Sequence, residues 1–375
     1  LDLANIATNF PFPSTGNSFN NFQSITDSNI RPETYTTLEG GLNFGFFKDR
    51  LTLEVAGYIT DTNDLITDAS LSTTTGLLNK KTNSGKLQGK GVEIDLGFMP
   101  INTTNFKWNG RISYTANDTK VIDAGEADKV TITTTGNSPI SGDISAVQGL
   151  SFPYITGTDW TRDAKGNVIV DANGNPTPDA TFKNIGKVTP DYILGLTNSF
   201  EYKGIGLSFT MDYRTGHQFW SGTKDWLSWS GHLYESAENG RSGFIFPNSA
   251  IETAPGVYTE NTSVVTGGTT YTSYLNYFSN EYRAVTENFV LDATAFKVRE
   301  LSLSYTIPAK SIEKTGLTSL RFGVNARNPF IVLPKENRGY HDPEQSRTSG
   351  NDQGLAVTGQ YPATRTFGFS LNASF

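Results

Sequence analysis

The residues best suited to bind a metal or move a proton are three histidines, His217, His232 and His341. They lie in predicted loops and none belongs to a His-x-x-x-His pair, which would place two ligands on one helix face. The chain has no cysteine, which excludes thiolate ligands, thiol catalysis and disulfides. It also lacks a Gly-x-Ser-x-Gly elbow or another recognisable acid, base and nucleophile set. We therefore expect no metal, no cofactor and no catalytic residues, so the chain is not predicted to be an enzyme.

Two aspartate-containing segments resemble calcium loops in composition. Residues 163–168 read Asp-Ala-Lys-Gly-Asn-Val and residues 171–176 read Asp-Ala-Asn-Gly-Asn-Pro. Both lack the alternating oxygen ligands and the closing Glu of an EF-hand. Asp and Asn next to Gly favour tight turns, so we expect a hairpin around residues 168–170.

Aromatic side chains cluster between residues 216 and 293. Such rings stack on sugar rings or form a docking face for another protein. The alternatives are packing within a loop or a belt at a membrane surface. The cluster comprises Phe219, Trp220, Trp226, Trp229, Tyr271, Tyr274 and Tyr277. The candidate substrate-binding residues are Trp220, Trp226, Trp229, Tyr271 and Tyr274.

The composition is unusual for a soluble globule. Only 36% of the 375 residues are hydrophobic, yet aromatics reach 12% and there are 37 glycines. The net charge of −7 disfavours nucleic acid, because phosphate binding requires a basic face. No stretch approaches the ~18 apolar residues of a membrane-spanning helix.

The elements that hold these residues are predicted to be long β-strands. Between Ile205 and Tyr213, apolar side chains alternate with small or polar ones, which is the period of a strand. The same pattern recurs along the chain, often over ~10 residues, enough for a tilted strand to cross a bilayer. The predicted strands lie near 36–47, 51–61, 86–98, 106–117, 191–201, 204–215, 294–307, 318–328 and 363–375.

The connections between these nine strands alternate strictly between short and long. The short ones are Lys48–Arg50, Met99–Asn105, Tyr202–Lys203 and Pro308–Leu317, and the long ones are 62–85, 118–190, 216–293 and 329–362. A soluble sandwich has no reason to place every long loop at one end, whereas an outer-membrane barrel has tight periplasmic turns and long extracellular loops.

Three further features fit a barrel. The strand at 294–307 changes parity, which predicts a bulge near Arg299–Glu300. The last strand places Phe367, Phe369, Leu371, Ala373 and Phe375 on one face. Because bacterial barrels have even strand numbers and lipid does not tolerate open edges, nine strands predict the C-terminal segment of a larger barrel.

Six stretches resemble the SusC/RagA-like TonB-dependent transporters of Bacteroidetes. They cover nearly the whole chain in the family's order. They are Arg31-Pro-Glu33 with Leu38-Glu-Gly-Gly-Leu42; Lys48–Leu53 with Tyr58 and Thr62–Ile66; Gly89-Lys-Gly-Val-Glu-Ile94; Ile185-Gly186, Thr189–Tyr192 and Tyr202-Lys-Gly204; Phe296–Pro308; and Asp342-Pro-Glu344 with Tyr361–Phe367.

The resemblance implies an all-β fold, with residues 1–375 forming the C-terminal part of a plugged antiparallel transmembrane barrel of about 22 strands. It implies TonB-driven import of glycans or peptides across the outer membrane, with a SusD-like lipoprotein over the extracellular mouth. TonB would act through an N-terminal plug that has no counterpart in this chain. Outer-membrane lipid and an oligosaccharide or peptide substrate complete the expected partners.

Two other readings remain open: a passive porin or adhesin barrel, and a soluble extracellular glycan-binding β-protein. In either barrel, one face of the strands would line the lumen. Polar residues expected on that face are Glu93, Asp95, Lys107, Arg111, Arg321 and Arg327.

Overall fold

The structure is a computed structural model. It describes residues 6–7, 18–19, 24–70, 79–125, 128–135, 142–241, 243–265, 275–348, 350–361 and 363–375. Most of these residues belong to a large antiparallel sheet or to smaller sheets in the loops that leave one end of it.

Nine strands of the described chain form the large sheet, and each predicted strand has its counterpart. We label them β1 to β9 in chain order. Their bounds are Thr34–Phe46, Leu51–Asn63, Lys86–Asn102, Phe106–Asp123, Tyr192–Tyr202, Ile205–Thr215, Ala295–Thr306, Ser319–Val332 and Thr366–Ser374.

Each strand pairs only with its neighbours in the chain, so the sheet is a meander. The short connections join its strands at one end, and the long connections all leave from the other. The difference from the sequence prediction lies in strand length, because β4 continues to Asp123 and β8 to Val332. Both extensions lie at the long-loop end, where the ladder of backbone hydrogen bonds continues above the apolar part of the strands.

One face of the sheet is apolar and open. Leu207 lies opposite Leu303, and Leu303 lies opposite Val324. These side chains on central strands are 37%, 47% and 50% exposed, respectively. A soluble sandwich would bury such a row under a second sheet. The exposed row is instead the surface that a barrel presents to lipid.

Aromatic rings lie at both ends of this apolar face. Tyr192 stacks between Tyr114 and Tyr213 at the long-loop end, with ring centroids 5.6 and 6.1 Å away. Near the short turns, Tyr202 packs edge-on against Phe106. Ten residues of strand separate Tyr192 from Tyr202, or ~33 Å of chain and ~25 Å of height at a tilt of ~40°. That height matches the apolar band of an outer-membrane barrel.

The predicted bulge is present at Arg299. Thr210 pairs with Glu300 and Met211 with Val298, so Arg299 is the extra residue. The bulge reconciles the two parities of β7, since Phe296 and Val298 share the apolar face with Leu301 and Leu303 on either side of it.

The long connections fold into a layer with its own small sheets. One is four-stranded and three are three-stranded, and two short strands near the start of the chain pair with each other. The strands of the layer are Ser24–Thr26, Ile66–Ser70, Asn79–Asn83, Lys129–Thr134, Gly142–Val147, Tyr154–Trp160, Val168–Val170, Pro178–Lys187, Gln218–Ser221, Ser249–Ala254, Val257–Glu260, Val290–Asp292 and Leu355–Ala356, and the early pair is Ile6–Ala7 with Ser18–Phe19.

The buried hydrophobic clusters of the described residues lie in this layer and not in the sheet wall. In the largest, Ile144, Ile155, Trp220, Phe289 and Leu355 come from three different long connections and are each at most 1% exposed. The distribution is inverted relative to a soluble β-protein: the loops enclose a core while the strands expose their apolar face.

Helices are short and few in the described chain. We label the two α-helices α1, Gly222–Trp229, and α2, Ala309–Ile312. None of the helices has the length and apolarity that a membrane crossing requires. A 3₁₀ helix of eight residues lies at Tyr234–Arg241, and shorter helical segments of 3₁₀ or π type lie at Tyr277–Glu281, Tyr282–Ala284, Thr286–Phe289, Glu313–Thr315 and Lys335–Asn337.

Candidate functional site

The face of the large sheet opposite the apolar one is polar. It carries all six residues expected there, Glu93, Asp95, Lys107, Arg111, Arg321 and Arg327. Lys107 lies opposite Glu201, with Nζ 3.7 Å from a carboxylate oxygen. Arg321 Nη2 donates to Ser304 Oγ at 2.8 Å across the β7–β8 ladder.

Acidic residues dominate one part of this polar face. Glu54 lies directly opposite Asp95, with Glu39 and Glu93 lining the same groove of about 490 Å³. Arg111 Nε donates to both oxygens of Asp95, at 2.7 and 2.6 Å. Since Arg111 is the only cation among the described residues that line the groove, the wall here has an excess of negative charge.

A cluster of ion pairs crosses from the strands to the last long connection. Arg299, the bulged residue, donates to Asp212 on the neighbouring strand and to Glu344 in residues 333–365. Arg214 Nη2 lies 2.5 Å from Glu344 Oε1 and 3.3 Å from Asp212 Oδ2. Hydrogen bonds from Arg299 and Lys297 lower the pKa of Glu344 to about 2 despite the opposing effect of burial.

Lys297 extends the same cluster. Its side chain is 5% exposed, and Nζ donates to Asp342 and, at 2.5 Å, to Glu344 Oε2. The Asp342-Pro-Glu and Arg299-Glu-Leu segments, which the sequence places in separate motifs, therefore contact each other. Neither motif by itself predicts this contact, because Arg299 and Glu344 lie 45 positions apart in the sequence.

Helix α1 holds polar residues on its buried side. Ser221 caps the helix and accepts a hydrogen bond from Lys224 N at 3.2 Å. Asp225 is fully buried and pairs with Arg283, whose Nε donates to Oδ1 at 2.6 Å. Ser228 Oγ donates to the carbonyl of Phe278 at 2.7 Å. These bonds fix both the position and the rotation of the helix.

Helix α1 also presents two tryptophans to solvent. Trp226 and Trp229 are 50% and 49% exposed, and their ring centroids are 4.8 Å apart. Trp220 is 1% exposed and belongs to the largest core cluster, so the structure places it apart from this pair. Tyr277 is also buried. Tyr271 and Tyr274 lie outside the described residues.

The three histidines lie in different surroundings and have different partners. His217 is buried, and burial together with the nearby Arg214 lowers its pKa to about 4. His341 Nε2 accepts a hydrogen bond from Thr223 N at 3.3 Å. His232 Nδ1 lies 3.1 Å from Ser230 Oγ. Within the described ranges, no three His, Asp or Glu side chains gather as metal ligands.

The two calcium-like segments form turns of one geometry. Asp163 Oδ1 accepts from the backbone N–H groups of Lys165 and Asn167, and Asp171 Oδ1 does the same for Asn173 and Asn175. The strand between the turns, Val168–Val170, bridges back to Arg162 on one side and to Pro176 on the other. This is the expected hairpin with one addition: the strand also pairs in parallel with residues 249–251 of another connection.

Comparison with known proteins adds to this geometry. The family model described as "TonB dependent receptor-like, beta-barrel" matches residues 1–328. This chain belongs to that family. It is an outer-membrane β-barrel segment, and the exposed apolar face of its large sheet is the surface that meets lipid.

The relatives that this chain matches are distant in sequence. TonB-dependent receptor P3 of Formosa agariphila is 25% identical over 94% of the chain, and TonB-dependent receptor SusC of Bacteroides thetaiotaomicron is 27% identical over 98%. A solved structure of the RagAB peptide transporter superposes with a TM-score of 0.66 over the whole chain at 16% identity, which supports the fold. The chain spans only 35% and 34% of the lengths of P3 and SusC, and 38% of the RagAB chain.

Proposed function

We propose that this chain is the C-terminal barrel portion of a TonB-dependent importer of glycans or peptides. The observation that supports this proposal most directly is the nine-stranded meander. Its apolar face is open to lipid, and the long connections form a folded layer at one end. A plug that contacts TonB, and further strands that pair with the open edges of β1 and β9, belong to the same proposal. They would be supplied by protein that this chain does not include.

Family membership and the exposed apolar rows argue against the soluble alternative. A passive porin or an adhesin is less well supported. A porin works through an open channel and an adhesin through its outer surface, so neither function requires TonB. The relatives are named for dependence on TonB, and one structural neighbour is titled a peptide transporter. We infer from them that this chain also serves active uptake and works with a SusD-like lipoprotein over its mouth.

Within this proposal, the long connections 62–85, 118–190, 216–293 and 329–362 face the outside of the cell, and residues 1–375 act as one domain. Trp226 and Trp229 form the proposed substrate-contacting surface, with Tyr271 and Tyr274 as further candidates. Trp220 supports that surface from the core. Two adjacent rings on a helix held by buried polar bonds provide a rigid, amphipathic contact surface at low entropic cost.

The proposal is tested by uptake in the native host. Cells that carry or lack the full-length gene receive partial hydrolysates of starch, xylan and alginate together with a tryptic digest of casein, and mass spectrometry follows the medium. Active import predicts that one ligand class is depleted only by cells with the gene, and that a protonophore or loss of TonB abolishes depletion. Depletion that continues after the protonophore would identify a passive porin, and no depletion of either class would contradict a role in import.

A further inference from the structure

Charged residues on the outward, apolar face of the large sheet are confined to one sector at its long-loop end. The outward positions of the described strands β1 and β5 to β9 carry no charged side chain. Lys90 on β3 has the parity of Ile94, and Lys120 on β4 has the parity of Tyr114, so both continue the apolar face beyond its aromatic rings. A chain with a net charge of −7 thus places two ammonium groups beside its lipid-facing surface.

These two residues, the outward lysine pair, are neighbours on paired strands. Lys90 lies directly opposite Asp118, and Lys120 follows Asp118 by two residues on β4. The two lysines are therefore diagonal neighbours on one face of the sheet, with their Cα atoms ~7–8 Å apart. Both side chains are exposed. The ladder between β3 and β4 consequently holds the two ammonium groups close enough to contact one anion together.

The carboxylates near the outward lysine pair are engaged by other lysines. Asp118 Oδ1 lies 3.8 Å from Lys187 Nζ, which also contacts Asp191 at 2.7 Å. Asp61 Oδ1 lies 3.8 Å from Lys86 Nζ. Within the described chain, the outward lysine pair has no ion pair or hydrogen bond of its own. Four lysines thus face three aspartates in this sector, and the unmatched positive charge lies on the outward lysine pair.

The height of the outward lysine pair matches the head groups of a bilayer. Ile94 lies opposite Tyr114, whose ring belongs to the aromatic row at the long-loop end. Lys90 is four residues beyond Ile94, which is ~13 Å of strand and ~10 Å of height at a tilt of ~40°. Lys120 is six residues beyond Tyr114 and stands ~15 Å above it. Polar head groups extend ~5–8 Å beyond the hydrocarbon, and a flexible lysine stem can turn its ammonium group down to that level.

We propose that the outward lysine pair binds the phosphate of an anionic lipid in the outer leaflet. The apolar face below the pair contacts acyl chains, so the anions nearest to the pair are the head groups of the same lipids. Two adjacent ammonium groups repel each other, and a phosphate between them removes that repulsion and accepts a charge-assisted hydrogen bond from each. The stacked rings of Tyr114 and Tyr192 form an aromatic surface beneath the head group.

This inference depends on the outer-membrane location of the barrel and not on the ligand that the barrel imports. Lys120 also pairs with Ser151, which lies in the connection between β4 and β5. The bound head group would therefore lie against the base of the loop layer. A lipid held there would fix the depth of this sector of the wall in the membrane.

The test uses the full-length protein in detergent, titrated with phosphatidylglycerol, with lipid A and with zwitterionic phosphatidylcholine. Native mass spectrometry measures the dissociation constant of the first bound lipid. We expect both anionic lipids to bind at least ~10-fold more tightly than phosphatidylcholine. The double variant Lys90→Gln with Lys120→Gln should bind them about 10–30-fold more weakly than the wild type, because each lysine near the membrane surface adds to the attraction for an anionic lipid.

Two further variants separate this site from general effects of charge. The matched control, Lys165→Gln with Lys335→Gln, removes two exposed lysines from the loop layer and should leave lipid affinity unchanged. Lys90→Arg with Lys120→Arg keeps both charges and should bind like the wild type. Equal affinity for phosphatidylcholine, an equal loss in the control, or a loss that arginine does not restore would each overturn the proposal. Inorganic phosphate at the lipid concentration should not compete, and full competition would identify a site for free phosphate and reject the lipid.

Discussion

Glu344 accepts a hydrogen bond from the guanidinium of Arg299 at 2.6 Å, although the two residues lie 45 positions apart. The contact exists because the bulge in β7 adds one residue where the last long connection passes the wall. Glu344 also pairs with Lys297 and Arg214, so it is the carboxylate that all three neighbouring cations share, with Asp212 and Asp342 supplying the other two negative charges of the cluster.

Replacing Glu344 with Ala should loosen residues 333–361 from the wall. Breaking a buried ion pair costs about 3–5 kcal/mol, and we expect a smaller cost here, because Glu344 is partly exposed and Lys297 and Arg299 keep Asp342 and Asp212 as partners. Limited proteolysis of the purified protein should show faster cleavage in this segment. Glu336→Ala, an exposed change in the same connection, is the control and should match the wild type.

Glu344 holds residues 333–361 against the wall, and the pH dependence of this contact follows from its lowered pKa. A depressed folded-state pKa contributes stability that is present above the unfolded value of 4.5 and is lost as pH falls toward about 2. Protection from an acid-active protease should therefore hold at pH 5 and decline below pH 4. A cleavage rate that does not change across this range would show that ionised Glu344 does not hold this segment against the wall.

Glu287 should produce the opposite pH dependence in the loop layer. Burial and the adjacent Asp159 raise its pKa to about 7, with Arg162 acting against the shift from 3.1 Å away. Because the folded protein holds this proton more tightly, its contribution is complete below pH 4.5 and is lost as pH rises through about 7. Hydrogen exchange of residues 284–289 should quicken between pH 5 and 8 after correction for intrinsic rates, and Glu287→Gln should remove that trend.

Adjacent residues in the middle of β5 offer a direct test of which face meets lipid. Leu196→Arg would place a charge on the apolar face and should destabilise the barrel by about 2–4 kcal/mol. Thr197→Arg places the same charge on the polar face one residue away and should cost much less. Folding titrations into lipid vesicles measure both, and equal costs would be incompatible with a lipid-facing Leu196.

Alanine at both Trp226 and Trp229 should reduce uptake of the transported ligand at least ~10-fold, since aromatic contacts contribute about 1 kcal/mol or more each. Tyr361→Ala, which removes an exposed ring from a different connection, is the control. Uptake equal to that of the wild type would end the proposed role of the tryptophan pair and leave loop packing as its explanation.

The buried Asp225–Arg283 pair should hold α1, and with it the Trp226 and Trp229 rings, in place. Asp225→Asn leaves a buried guanidinium without its counter-charge and should destabilise this part of the loop layer by about 3–5 kcal/mol. Tryptophan fluorescence under mild denaturant should then change at a lower concentration than in the wild type. A more moderate loss is expected for Ser228→Ala, which removes one neutral hydrogen bond.

The nine strands, the alternation of short and long connections and the bulge at Arg299 could all be predicted from neighbouring residues in the chain. Each depends on a local rule: side chains alternate every second residue, tight turns need few residues, and a change of parity needs one extra residue. Membrane exposure of the apolar face strengthens that alternation, because lipid contacts every strand of the wall in the same way.

Tertiary structure alone decided which aromatic side chains are exposed and which distant charges meet. Trp220, Trp226 and Trp229 are equivalent in the sequence, yet packing of three connections buries the first and the rotation of α1 exposes the other two. The parallel pairing of residues 168–170 with 249–251 and the contact between Arg299 and Glu344 likewise join segments with no shared periodicity. Such contacts depend on how long loops pack over the barrel rim, and no short-range pattern encodes that packing.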